Sequence, residues 1–436
     1  MEMCLFIALS DDIIGLILRE WLKLKEVTFV DSAFCNHKQR NILLANVFPQ
    51  TVLQVEPKPL QANSSLVWLT KRKISMNVLI IFAATAIPKC RHFLKTSSKS
   101  VKHVKAMMVR GAQLMDLLSI LSACCNMTSL SIVSCQLTTT QRTHTWSCPP
   151  MLNSFSIDIG KKCSAEKDTA IEVIRSSYQQ LQRLELLIQP EFVLHELVDI
   201  KAFPWLIALS ISCADNILDS DVIAAVRKAP HLQHINVSMC ELLTDATGVY
   251  IAENVSQLKT LDLSRGNFTE STLTALAELR GNSLHALNIS NCVSVHYTDV
   301  RTVLNKCHSL RILHVAVRAL DFSLVHHPTM FQKLTHLTVD ESGKTCSLEY
   351  ARHIPFACKS AQYICFISHH VSYREIDFSA YTSQNMPYLQ AINISSYPLP
   401  SPGICPTLDA LQVQRPKLDV TFDPLLNNFD VMKISL

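Results

Sequence analysis

A ladder of leucines constrains this chain more than any other feature. Leu206, Leu232, Leu258, Leu284 and Leu310 each stand 26 residues after the one before, and they open segments of one form: WLIALSIS, HLQHINVS, QLKTLDLS, SLHALNIS and SLRILHVA. Apolar residues recur at offsets 0, 3 and 5 from the leucine. Offsets 3 and 5 share one face of an extended strand. A constant period over five segments is the mark of a repeat array, in which each unit buries its apolar face only against its neighbours.

Weaker copies extend the array. Upstream they start at Met76 (MNVLII), Val101 (VKHVKAM), Met127 (MTSLSIV), Leu152 (LNSFSID) and Leu181 (LQRLELL); downstream at Leu334 (LTHLTVD), Ala361 (AQYICFI), Leu389 (LQAINIS), Leu408 (LDALQVQ) and Val431 (VMKISL). Between strands the residues read as helix. In DSDVIAAVRKA, residues 219 to 229, Asp219 or Ser220 can cap a helix whose apolar positions are Val222, Ile223 and Val226. Strand, turn, helix and turn then repeat about thirteen or fourteen times.

This pattern predicts an α/β leucine-rich repeat solenoid over residues 76–436, a horseshoe with parallel strands on its concave face and helices on its convex face. The period, with Cys240 and Cys292 eight residues after Leu232 and Leu284, resembles the cysteine-containing leucine-rich repeat subfamily and its ribonuclease-inhibitor-like solenoid. Gly266 holds the same place in the intervening repeat, so the position calls for a small inward side chain and not a metal ligand. Residues 51–75 read as a linker (EPKPLQANSS) and an N-terminal cap helix (LVWLTKRK) with Trp68 in the core.

Composition narrows the class. Hydrophobic residues make up 48% of the 436 and charged residues 17%, which excludes a disordered chain. Forty Lys and Arg against 36 Asp and Glu leave a formal charge of +4 with no long run of one sign, so no nucleic-acid partner is expected. MNVLIIFAATAIP is too short to span a bilayer, and no membrane segment is expected. Sixteen cysteines without a secretory signal point to a reducing cytoplasmic or nuclear setting.

Chemistry-bearing motifs are missing. The chain has no CxxC, GxSxG, HExxH, Walker A or GxGxxG, and the pairs His326-His327 and His369-His370 would point to opposite faces of a strand. No catalytic residue, metal or cofactor is expected, and no enzyme.

The N-terminal stretch LSDDIIGLILREWLKLKEVTFVDSAFC, residues 9–35, carries more apolar side chains than one buried face requires. Ser10 is a good N-cap, and Asp11 and Asp12 suit the first turn of a helix. Ile13, Ile14, Leu16, Ile17, Leu18 and Trp21 then occupy most of the circumference, so a second surface should cover them. This segment, Leu9 to Ile14 with Ile17, Leu22, Leu24 and VDSAFC, resembles an F-box, with Ser10 where that motif has Pro and Asp12 where it has Glu. The resemblance implies an F-box-like helical module over residues 1–50 that docks a Skp-type adaptor of a cullin ligase through Leu9, Ile13, Ile14, Ile17, Leu18 and Trp21. The repeats would then hold a protein substrate for ubiquitination. The alternative is an interaction scaffold or inhibitor with no ubiquitin link, its first helices serving only to cap the solenoid.

Between the inward apolar residues of each strand lie two outward rows: Ser210, Asn236, Asp262, Asn288 and His314, and beside them Ser212, Ser238, Ser264, Ser290 and Ala316. The first row varies and is polar. With His234, Arg265 and Arg311 flanking it, Asn236, Asp262, Asn288 and His314 are the expected substrate contacts.

Overall fold

The structure is a computed structural model that describes residues 62–82, 87–109, 112–133, 146–159, 164–188, 202–214, 216–320, 331–341, 348–368, 377–396 and 406–423, with Val27, Leu44, Val47, Phe48, Val52, Leu53 and Thr85 besides. It divides into two compact units, Met1–Leu206 and Ile207–Leu436.

In the first unit the strands β1 (Val78–Phe82), β2 (His103–Met107), β3 (Ser129–Val133), β4 (Ser154–Ile159) and β5 (Arg183–Ile188) pair in sequence order, every pair parallel. Helices α1 (Ala62–Arg72), α2 (Ile87–Ser97), α3 (Ala112–Leu121) and α4 (Ser164–Ser177) belong to this unit. The second unit continues the scheme with β6 (Ala208–Ser212), β7 (His234–Asn236), β8 (Thr260–Asp262), β9 (Ala286–Ile289), β10 (Ile312–Ala316), β11 (His336–Glu341), β12 (Tyr363–Ser368), β13 (Ala391–Ser396) and β14 (Asp419–Asp423). These too pair in order and in parallel. Between them lie α5 (Asp219–Arg227), α6 (Asp245–Asn254), α7 (Glu270–Arg280), α8 (Tyr297–Lys306), α9 (Ile354–Ala357) and α10 (Pro406–Gln414). Parallel neighbours joined by helical crossovers at this period make each unit a stretch of α/β leucine-rich repeat solenoid.

The core follows the leucine count. At thirteen repeats, from Met76, Leu79 and Ile81 to Leu389, Ile392 and Ile394, the residues at offsets 0, 3 and 5 are at most 4% exposed. Cys240 and Cys292 turn inward as expected and are buried. Their thiols lie 3.6 and 3.2 Å from the carbonyl oxygens of Ile211 and Leu263 in the preceding repeat.

Helix starts are fixed by side-chain caps. Thr244 and Thr269 accept hydrogen bonds from the amides of Ala246 and Ser271 at 3.2 and 3.3 Å. In α8, Asp299 reaches back to the amide of His296 at 2.8 Å.

Three expectations are corrected. The cap of α5 is Leu218, not Asp219 or Ser220: Asp221 accepts from the Leu218 amide at 3.1 Å, and that carboxylate replaces the cap side chain. LDALQVQ is no strand, because Leu408 lies in α10; the last strand among the described residues is β14, where Val420 pairs with Ile392, and the copy expected at Val431 lies outside the described residues. The spacing of Leu408 and Leu411 suits a helix as well as a repeat, and Pro406 at the start of α10 favours the helix. The EPKPLQANSS linker is shorter than expected, since Ala62 to Ser65 already belong to α1. Trp68 on that helix is half-buried, edge-on to Phe48 with ring centroids 6.3 Å apart.

Candidate functional site

The outward face of the second unit's strands is built by register. Asn236, Asp262, Asn288 and His314 are successive partners across β7 to β10. The row continues through Thr338, Cys365, Asn393 and Thr421. Each of these later members stands four residues after a repeat start, or pairs with one that does, so the same count extends the row beyond the residues singled out from the sequence.

Exposure departs from expectation. Asn236 is half-buried, but Asp262, Asn288, His314, Thr338 and Asn393 are no more than 3% exposed. The serine row is equally enclosed, with Ser212, Ser238, Ser264 and Ser290 all buried. Alternation takes these side chains out of the apolar core without delivering them to solvent.

Enclosure demands hydrogen bonds, and for Asn236, Asp262 and Asn288, Asx turns at the strand ends supply them. Asn236 Oδ1 accepts from the Ser238 amide at 2.9 Å. Asp262 Oδ1 accepts from the Ser264 amide and hydroxyl at 2.9 and 2.7 Å, and Asn288 Oδ1 does the same with Ser290 at 3.1 and 2.7 Å. Asn288 Nδ2 then donates to Asp262 Oδ2 at 2.9 Å, tying the two repeats. Burial raises the Asp262 carboxyl above the usual carboxylate range, against the pull of these bonds.

His314 sits differently. Burial, with His336 beside it, pushes its imidazole down to about 4, so the ring is neutral. Among the described residues its Nε2 and the hydroxyl of Thr338, its partner on β11, meet no hydrogen-bond partner.

The flanking residues are not brought together. Arg265 follows β8 and is exposed, whereas Arg311 precedes β10 and spends its guanidinium on the carbonyl oxygens of His308 and Leu310, both at 3.0 Å. They lie at opposite strand ends. His234 is half-buried, with Nδ1 2.9 Å from Thr260 Oγ1 of the next repeat. The N-terminal candidates Leu9, Ile13, Ile14, Ile17, Leu18 and Trp21 lie outside the described residues.

Sequence reasoning missed the rim where strand gives way to loop. Met108, Cys213, Met239, Arg265 and Asn291, each seven residues after a repeat start, all have φ between 56° and 60°. Asn291 Nδ2 donates to Asp340 Oδ2 at 2.7 Å, reaching from the end of β9 past β10 to β11. The αβ turns form the other rim, where Arg280 donates to the carbonyl oxygens of Ala252 and Glu253 at 2.6 and 2.9 Å and closes the end of α6. Beside it Ser256, Gly281, Asn282, Asn305, Lys306 and His308 line an open polar hollow of about 620 Å³. Among the described residues no group of three or more His, Cys, Asp or Glu is placed to hold a metal ion. No helix among them is long and apolar enough to cross a membrane.

No family model matches the chain, and no curated protein matches it. Among solved structures it is similar to a chain in the crystal structure of the Rad7 and Elc1 complex in yeast, with 14% identity and a TM-score of 0.44, over 91% of this chain and 94% of that one. A likeness this distant carries no argument about partners or activity.

Proposed function

We propose that the chain is a non-catalytic recognition subunit of a cullin-type ubiquitin ligase. In this reading the leucine-rich repeats hold a protein substrate, and the F-box-like segment docks a Skp-type adaptor through Leu9, Ile13, Ile14, Ile17, Leu18 and Trp21. The observation that carries it is one of order: an over-apolar F-box-like segment in the sequence precedes a parallel ladder of repeats with a polar residue at most rungs.

Within the ladder the roles divide by exposure. His234, Asn236 and Arg265 reach solvent at least in part and contact the substrate. Asp262 and Asn288 are enclosed and act by fixing the strand ends that carry those contacts, and His314 is enclosed beside them. A repeat surface of fixed geometry binds through the sum of many rungs, with a few anchors supplying most of the energy.

Affinity capture of the full chain from cells, read by mass spectrometry, tests both arms. Recovery of a Skp-type adaptor and a cullin, both lost on Ile14→Asp or Ile17→Asp in a chain that still melts cooperatively, supports the reading. Partners recovered without adaptor or cullin favour the scaffold alternative.

A further inference from the structure

On the αβ rim of the second unit the backbone stacks one residue per repeat just before each strand begins. The Lys259 amide donates to the carbonyl oxygen of Gln233 at 2.7 Å, His285 to Lys259 at 2.7 Å, Arg311 to His285 at 2.8 Å and Thr335 to Arg311 at 2.8 Å. Three consecutive members, Lys259, His285 and Arg311, carry basic side chains, and all three are exposed. The row turns neutral at Gln233 on one side and at Thr335, Gln362 and Gln390 on the other. Helix ends account for Arg227, Arg280 and Lys306, which sit in the last turns of α5, α7 and α8 and offset the negative end of each dipole. They do not account for this row, whose residues stand beyond the turns, at the strand starts.

Nearby acids do not cancel the charge. Among the described residues of these αβ turns and the last helical turns before them, from α5 to β11, the carboxylates are Glu253 and Glu278, and Glu278 already holds Lys306 at 3.1 Å. Arg311 makes its bonds to the carbonyl oxygens of His308 and Leu310 through Nη1 alone, which orients the guanidinium and leaves its Nε and Nη2 edge for a carboxylate. Lys333 Nζ, 3.3 Å from His308 Nδ1, adds a further cation beside the polar hollow that His308 lines.

We propose that this rim is a second docking surface, separate from the concave face, and that it takes an extended acidic segment of a partner protein, whose Asp or Glu carboxylates meet Lys259, His285, Arg311 and Lys333. It holds whether or not the chain docks an adaptor. Rungs lie about 4.8 Å apart, so the row from Lys259 to Lys333 spans roughly 14 Å. That is the length of about five residues of extended peptide, whose first, third and fifth side chains share a face. One positive charge per rung suits separate carboxylates better than a single phosphate dianion, which gathers several donors at one point. So short a row neutralises too few phosphates to hold a nucleic acid.

Fluorescence anisotropy of the full chain with a labelled peptide that alternates Glu and Ser, in about 50 mM salt so that screening is weak, tests the assignment. The unaltered chain binds this peptide and not its Gln-Ser counterpart. Lys259→Gln with Arg311→Gln weakens binding about tenfold or more. Arg91→Gln with Lys95→Gln, which removes two exposed cations from α2 in the first unit, changes it less than about twofold. Lys259→Glu reverses one charge without touching the Arg311 bonds to His308 and Leu310, and it repeats the loss if the double variant melts early. No binding by the unaltered chain, equal binding of the Gln-Ser peptide, an equal loss in the α2 pair, or tighter binding of a single-stranded oligonucleotide of the same charge would each overturn the assignment.

Discussion

Asp245, the first residue of α6, accepts a hydrogen bond from the amide of Thr269, the N-cap of α7 one repeat later, at 2.8 Å. The hydroxyls of Thr269 and Thr272 also donate to it. One repeat earlier Asp219 takes the same bonds from the Thr244 amide and from the hydroxyls of Thr244 and Thr247, at 2.9, 2.7 and 2.6 Å. Each threonine cap thus serves its own helix and the previous one. Stacked repeats stand or fall on such nearest-neighbour terms.

Asp245→Ala should therefore cost about 1–3 kcal/mol, measured by urea unfolding. Burial raises the carboxyls of Asp219 and Asp245, but the threonine bonds outweigh it and hold both below the usual 3.8. The unfolded chain takes up these protons first, so their contribution is present above pH 3.8 and is lost as pH falls through the lower folded values. In Asp245→Asn that acid-side loss should shrink.

His314 acts in a higher window. In the folded chain its imidazole stays neutral down to about pH 4, whereas the ordinary value is 6.5. Between these values only the unfolded chain binds the proton, so stability falls as pH drops from 6.5 toward 4, by about 3 kcal/mol in all. Asp262 works in the opposite sense, because its raised carboxyl takes a proton in the folded chain first. Denaturant midpoints at pH 7.5 and 5 should differ less in His314→Gln than in the unaltered chain.

Gly281 is required by close approach and not by its backbone angle, since its φ is −53°. A Cβ there would press on the carbonyl oxygen of Lys306, and would lie 2.8 Å from that of Ala277. Backbone cannot give way as a side chain can, so Gly281→Ala should destabilise by about 1–3 kcal/mol. Thermal unfolding reads this directly.

Arg265 offers the reverse case. It is exposed and holds φ 59°, a region that costs non-glycine residues about 1–2 kcal/mol. Glycine removes that strain and returns part of it as chain entropy. Arg265→Gly should leave the melting temperature unchanged or slightly higher, while weakening capture of the substrate.

The repeat count carried the fold because the inward positions are dictated by period alone: Leu206, Leu209 and Ile211 needed nothing from outside their own segment to be placed. LDALQVQ misled because Leu408 and Leu411 satisfy a strand template and a helix template equally, and only the proline ahead of them decides. The enclosure of Asp262, Asn288 and His314 was not legible either. Alternation tells which way a side chain leaves the strand, not what lies beyond it. Nor could spacing alone reveal the rim row, since what Cys213, Met239, Arg265 and Asn291 have in common is a backbone conformation.

Calorimetric titration of the purified full chain with a purified Skp-type adaptor separates adaptor docking from a plain solenoid cap. Docking gives a one-to-one complex that Ile14→Asp and Ile17→Asp abolish while the cooperative melt of the repeats persists. Absence of any complex with the unaltered chain, or binding left intact in both variants, would contradict it.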